Sequence, residues 1–143
     1  MRRSTWVLAA AIALALRWAG AAEPAALSGR DGWIREAPPV APVRAGYVEL
    51  VNAGAVELVV TGADSPAFGA VEIHAMVDGA DGAMRMRPVP RLSVPAGAAV
   101  ALKPGGLHLM LFRPRQALAP GQLVPVRLHT EAGEVVEVGL RVR

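Results

Sequence analysis

Apolar residues in this chain come in short runs, most of them alternating with polar ones every second position, and each run closes on Gly, Pro, Asn or Asp. Val71-Glu72-Ile73-His74-Ala75-Met76-Val77 and Leu107-His108-Leu109-Met110-Leu111 show the pattern best. A period of two is the mark of a strand with one buried and one open face. The predicted strands are Trp33–Glu36, Gly46–Val51, Val56–Gly62, Ala70–Val77, Met84–Pro88, Ala98–Leu102, Leu107–Phe112, Gln122–His129 and Glu134–Val142. Turn signals separate them at Asn52-Ala53-Gly54, Asp78-Gly79, Asp81-Gly82, Lys103-Pro104-Gly105-Gly106, Ala119-Pro120-Gly121 and Ala132-Gly133. Residues 64–69 have room for one helical turn at most. Many short strands at this spacing predict an all-β sandwich or barrel.

The N-terminus departs from that pattern. Arg2 and Arg3 precede the unbroken apolar run Trp6–Leu16, and Ala19-Gly20-Ala21-Ala22 follows before Glu23-Pro24. This is the anatomy of a secretory signal peptide, residues 1–22, cleaved near Ala21 or Ala22. The run is shorter than the roughly 20 residues a membrane-spanning helix needs, so no span is expected after cleavage. Residues 23–31 are small and polar and predict a flexible lead-in. Residues 32–143 then form one domain, exported to the periplasm.

Composition narrows the function. The chain carries 15 basic and 12 acidic residues, but Arg2, Arg3 and Arg17 lie in the leader, which leaves the mature part uncharged overall. Without a basic stripe, nucleic-acid binding is not expected. There is no cysteine, which excludes a disulfide framework, a lipidated N-terminal cysteine and a blue-copper centre with a thiolate ligand. No Ser/His/Asp set, carboxylate pair, nucleotide loop or zinc motif appears, so an enzyme is not expected.

What stands out is a donor set. Two of the three histidines, His74 and His108, fall in short segments that also hold methionines: His74-Ala75-Met76, Met84-Arg85-Met86 and His108-Leu109-Met110. Thioether sulfur is a soft, neutral donor, poor for zinc, calcium or magnesium and good for Cu(I). Strand parity sets His108 and Met110 on one face, about 6.6 Å apart along the chain and opposite Leu107, Leu109 and Leu111. His74 and Met76 likewise share the face away from Val71 and Ile73. A lone His on a strand is usually a surface residue and a lone Met usually fills a core gap. Here the spacing argues for shared ligation. His129 has no donor at useful spacing and reads as structural; Trp33 reads as core; Arg85 and Arg87 read by default as a solvated face, with a docking rim beside Met86 as the alternative.

With these residues in place, the chain resembles the exported, cupredoxin-like copper chaperones that serve the CuA centre of cytochrome c oxidase. Their signature is a His, one residue that is often Met, ten residues, a Met, twenty-one residues and His-x-Met. His74, Met86, His108 and Met110 stand at those spacings. The flanking segments are similar too: Trp33-Ile34-Arg35, Gly46-Tyr47 leading to Asn52, Met86-Arg87-Pro88-Val89, and Lys103-Pro104-Gly105-Gly106-Leu107-His108. Two features depart from the family: Ala75 stands where Met is frequent, with Met76 one place later, and no His- and Met-rich tail follows Arg143.

The resemblance implies a cupredoxin-like Greek-key β-sandwich or barrel, one Cu(I) held by those four residues, and a monomer. Its expected partners are the copper-bearing oxidase subunit or a thioredoxin-fold copper assembly factor. Whether Met76 or Met84 joins the site stays open. The alternatives are a copper buffering or import protein, and a β-sandwich interaction module with an incidental Met/His patch.

Overall fold

The computed structural model describes residues 25–143; the expected signal peptide lies outside the described residues. Ten strands follow in order: β1 Leu27–Ile34, β2 Val43–Asn52, β3 Leu58–Asp64, β4 Phe68–Asp78, β5 Met84–Pro88, β6 Leu92–Val94, β7 Ala99–Leu102, β8 His108–Pro114, β9 Leu123–Thr130 and β10 Val135–Val142. Seven of them close on themselves in the order β4-β8-β2-β1-β10-β9-β3, with Ala63 of β3 pairing Val71 of β4 to complete the ring. Closure leaves those seven strands without an open edge. Every pairing is antiparallel except β1 with β10. β5, β6 and β7 lie off the ring, on β4, β3 and β2 respectively. The all-β, cupredoxin-like barrel expected from the sequence is the observed fold.

Alternation builds the interior. Val136, Val138, Leu140 and Val142 of β10 point inward with Val124, Val126 and Leu128 of β9, Val48 and Leu50 of β2, Val71 and Ile73 of β4, and Leu109 and Leu111 of β8. Each buried aliphatic side chain contributes about 1.5–3 kcal/mol relative to an exposed one, and in a chain without disulfides this core supplies the stability. Asn52 is fully buried but satisfied. Its amide donates to the carbonyls of Val56 and Val94, and its oxygen accepts from Gly54 N–H, which locks the turn after β2 onto β6.

Three expectations are corrected. The lead-in expected over 23–31 is ordered from Leu27 onward: Leu27 pairs Asn52 and is 1% exposed in the core. A bulge between Arg30 and Trp33, with Asp31 at φ 54°, moves the inward parity from Leu27 to Ile34. That shift hides the alternation that would mark a strand, and Asp tolerates the left-handed backbone it requires. The second correction is β6, whose three residues between Pro90 and Pro95 are too few to show a period. The third is Trp33, which is half-buried outside the core cluster, its ring 4.5 Å from that of Tyr47.

Candidate metal centre

The donor residues lie on the outer face of the barrel where β4, β8 and β2 run side by side. Register aligns them: His74 lies directly opposite His108, Glu72 opposite Met110, and Met110 in turn opposite Ala45. Past His74, β4 leaves the ring and pairs with β5, which brings Met76 opposite Met86. The β4–β5 turn fixes this overhang. The Asp81 carboxylate accepts from Ala83 N–H at 3.2 Å and from Arg85 at 2.6 Å. Those two contacts, the backbone N–H first, hold its carboxyl below the usual aspartate range. Arg85 is thereby engaged within the hairpin.

Between these strands and residues 35–37 lies a cavity of about 450 Å³, lined among others by Met76, Met86, His108, Met110, Tyr47 and Gly105. Three of the four predicted ligands face it. The fourth, His74, adjoins it, with its ring centroid 6.2 Å from that of His108. His108 is 6% exposed, whereas Met86 is 46% exposed at the rim.

Hydrogen bonding sets which ring nitrogen each histidine offers. His108 Nδ1 lies 2.9 Å from the Gly106 carbonyl. A carbonyl only accepts, so Nδ1 carries the proton and Nε2 keeps its lone pair. The turn that presents this carbonyl needs Gly105 at φ 84°, a conformation costly for residues with a Cβ. The same carbonyl accepts from Met76 N–H at 3.3 Å, tying β4 to the β7–β8 turn. In His74 the roles reverse. Nε2 donates to the Glu72 carboxylate at 2.8 Å, and Nδ1 is buried with no hydrogen-bond partner. A buried polar atom left bare is costly unless something binds it. Two imidazole lone pairs and the thioethers of Met76, Met86 and Met110 are thus gathered on one face. Among the described residues Glu36 is the one carboxylate that lines the cavity, and Glu72 is occupied by His74. Among the described residues no group of three or more His, Cys, Asp and Glu could hold an ion. The donor chemistry fits a soft cation and not a hard one.

Met84 is 51% exposed and does not line the cavity; Met76 does. Parity alone puts Met76 on the His74 face, and that was the signal in the sequence for it. His129 sits apart on β9, its Nε2 bonded to Asp64. Arg44, Arg35 and Tyr47 also line the cavity, and no sequence motif singled them out as site residues.

A family model described as "Putative lipoprotein LpqE-like" matches residues 27–142, nearly all of the described chain. The chain belongs to the LpqE-like family. A curated relative, "Putative lipoprotein Lxx21020" of Leifsonia xyli subsp. xyli, is 30% identical over 100 residues, 69% of this chain and 60% of that protein. The matched region therefore spans less than two thirds of that relative's length. Lipoproteins are exported proteins, and the relatives' names agree with the export expected for this LpqE-like chain. The described residues contain no helix long and apolar enough to cross a membrane.

Solved structures share the LpqE-like chain's fold. The copper-bound PCuAC domain from PmoF2 superposes with a TM-score of 0.68 at 18% identity, over 83% of this chain and 93% of that one. The apo PCuAC domain from PmoF1 gives 0.67 at 19%, over 83% and 94%. The solution structure of CuI-DR1885 from Deinococcus radiodurans gives 0.62 at 25% identity, over 87% and 81%.

Proposed function

We propose that this protein is an exported copper carrier, not an enzyme, which holds one Cu(I) through His74, Met86, His108 and Met110. The observation that carries this reading is the outer-face cavity in which neutral imidazole and thioether donors converge. Its likeness to a copper-bound PCuAC domain and to CuI-DR1885 supports it. Cu(I) tolerates low and irregular coordination, so neutral donors hold it without a buried anionic ligand.

The same geometry favours release. Met86 stands half-exposed on an off-ring strand, and the cavity is far larger than one ion. An acceptor's thiolate or imidazole can therefore enter while a thioether leaves, and no free ion is released. By family resemblance the acceptor is the CuA site of cytochrome c oxidase, reached directly or through a thioredoxin-fold assembly factor.

Competition with a chromogenic Cu(I) chelator under reducing conditions tests the first step. One equivalent bound is expected, and no stoichiometric binding would return the fold to a plain interaction module. Mixing the loaded protein with the soluble copper-bearing domain of the oxidase tests the second. CuA absorbance should appear; tight binding without transfer would favour a buffering or import role.

A further inference from the structure

Arg44 is the anomaly of the molecule. It is 4% exposed, on the inward row of β2 with Gly46, Val48 and Leu50, and it stands opposite Leu111 of the core. Its Nε is buried without a hydrogen-bond partner. Other arginines are either exposed, as Arg87 and Arg113 are, or have partners. Arg30 pairs with Glu49, Arg85 with Asp81, Arg91 with Glu131 and Arg127 with Asp64. Arg35 and Arg143 lie over the Trp33 ring. Glu36 is exposed nearby, yet none of the ion pairs among the described residues joins it to Arg44. A guanidinium with a buried, unpartnered Nε is a poor choice for a core position, where an apolar side chain of similar size is as good or better for stability.

The side chain also borders a second cavity of about 200 Å³, which adjoins the metal centre and shares Arg35, Glu36 and Ala37 with it. Arg35, Glu36, Pro39, Leu118, Pro120 and Val142 complete most of its wall. Apolar walls on one side weaken solvent screening, so a charge held there interacts more strongly than at the surface. Two arginines and one carboxylate line it, a positive balance. The planar fork of a guanidinium matches two oxygens of a carboxylate or phosphate.

We propose that this second cavity is a binding site for a small oxyanion of the carboxylate or phosphate class, held by the Arg44 guanidinium with Arg35 at its mouth. The site rests on the cavity and on the bare Nε, not on copper, so a protein that binds no metal still tests it.

The experiment follows the Arg44 Nε–H resonance in proton–nitrogen spectra of the apo protein. Sodium phosphate and sodium acetate are titrated separately, at an ionic strength kept constant with chloride. The site predicts a saturable shift at that resonance with at least one of the two, and the stronger of them identifies the oxyanion class. Arg44→Lys retains the charge and loses the fork, and should weaken binding by about tenfold or more. No shift up to tens of millimolar, with the Nε–H still protected from exchange, would assign its partner as buried water and overturn the proposal. A shift that never saturates would show diffuse screening and overturn it as well. Binding unchanged in a folded Arg44→Lys, read in both proteins from the backbone amides of residues 43–46, would do the same for Arg44 as the anchor. Should that variant fail to fold, the wild-type titration still decides.

Discussion

At the scale of single residues, the site separates donors by what else they do. Met86 is half-exposed and supports no part of the core, so Met86→Ala should cost the fold no more than about 0.5 kcal/mol. It should still lower Cu(I) affinity by about tenfold, the weight of roughly 1.4 kcal/mol of lost ligation. Met110→Ala should do the same with a somewhat larger stability cost, because its side chain is partly buried. Chelator competition alongside thermal melts measures both quantities. Loss of folding with copper affinity intact would place those thioethers in packing roles. Met76→Ala is the sharper comparison: it lines the same cavity opposite Met86, and a drop equal to that of Met86→Ala would make it a ligand. That His108 and Met110 share the outer face was legible in strand parity, whereas the choice of Met86 over Met76 and Met84 came only from the family resemblance. That His74 stands opposite His108 was not legible, since register between strands 34 residues apart depends on the closed barrel.

Elements show where the sequence pattern fails, and for what reason. β1 escaped detection because its bulge reverses parity midway and because Ser28, Gly29, Arg30, Asp31 and Gly32 have the composition of a loop. Its contribution is large even so. Leu27→Ala should destabilise the barrel by about 2–5 kcal/mol, the usual cost of emptying a buried leucine site. Denaturant melts would check this, and a change below about 0.5 kcal/mol, the usual size of a surface substitution, would restore the flexible lead-in. Arg44 was illegible for the opposite reason: polar character in a strand predicts an outward side chain, yet it lies on the inward row. The β3–β9 seam offers a test in pH. Asp64 at the end of β3 accepts from His129 and Arg127 of β9, and these contacts, His129 first, lower its pKa below the usual aspartate value. A depressed carboxyl contributes stability above the unfolded pKa, about 3.9, and loses that contribution as pH falls through the folded one. Asp64→Asn should therefore melt below wild type at pH 6, with the gap closing as the pH drops beneath about 4. A gap that stays constant into acid would remove Asp64 from the seam.

For the molecule as a whole, binding of the proposed ion should be linked to stability. The proposed ligands come from β4, β5 and β8, and among the described residues β5 pairs with the barrel only through β4. An ion bridging Met86 to His108 and Met110 would therefore fasten the overhang to the ring and bind the folded state alone. Binding to the folded state at a hundred times Kd adds about 2.7 kcal/mol. For a domain of this size that corresponds to roughly 10 °C or more in Tm. The identity of the ion should matter more than its charge. Zn(II) favours imidazole, carboxylate and thiolate, and this face offers it two imidazoles and no carboxylate free of other bonds except Glu36. Anaerobic melts with Cu(I) should then show the full shift, and melts with Zn(II) little or none. Equal shifts with both metals would mean that the histidines alone form the site. In that case the methionines would belong to packing, and the preference for a soft ion, on which the carrier reading depends, would be lost.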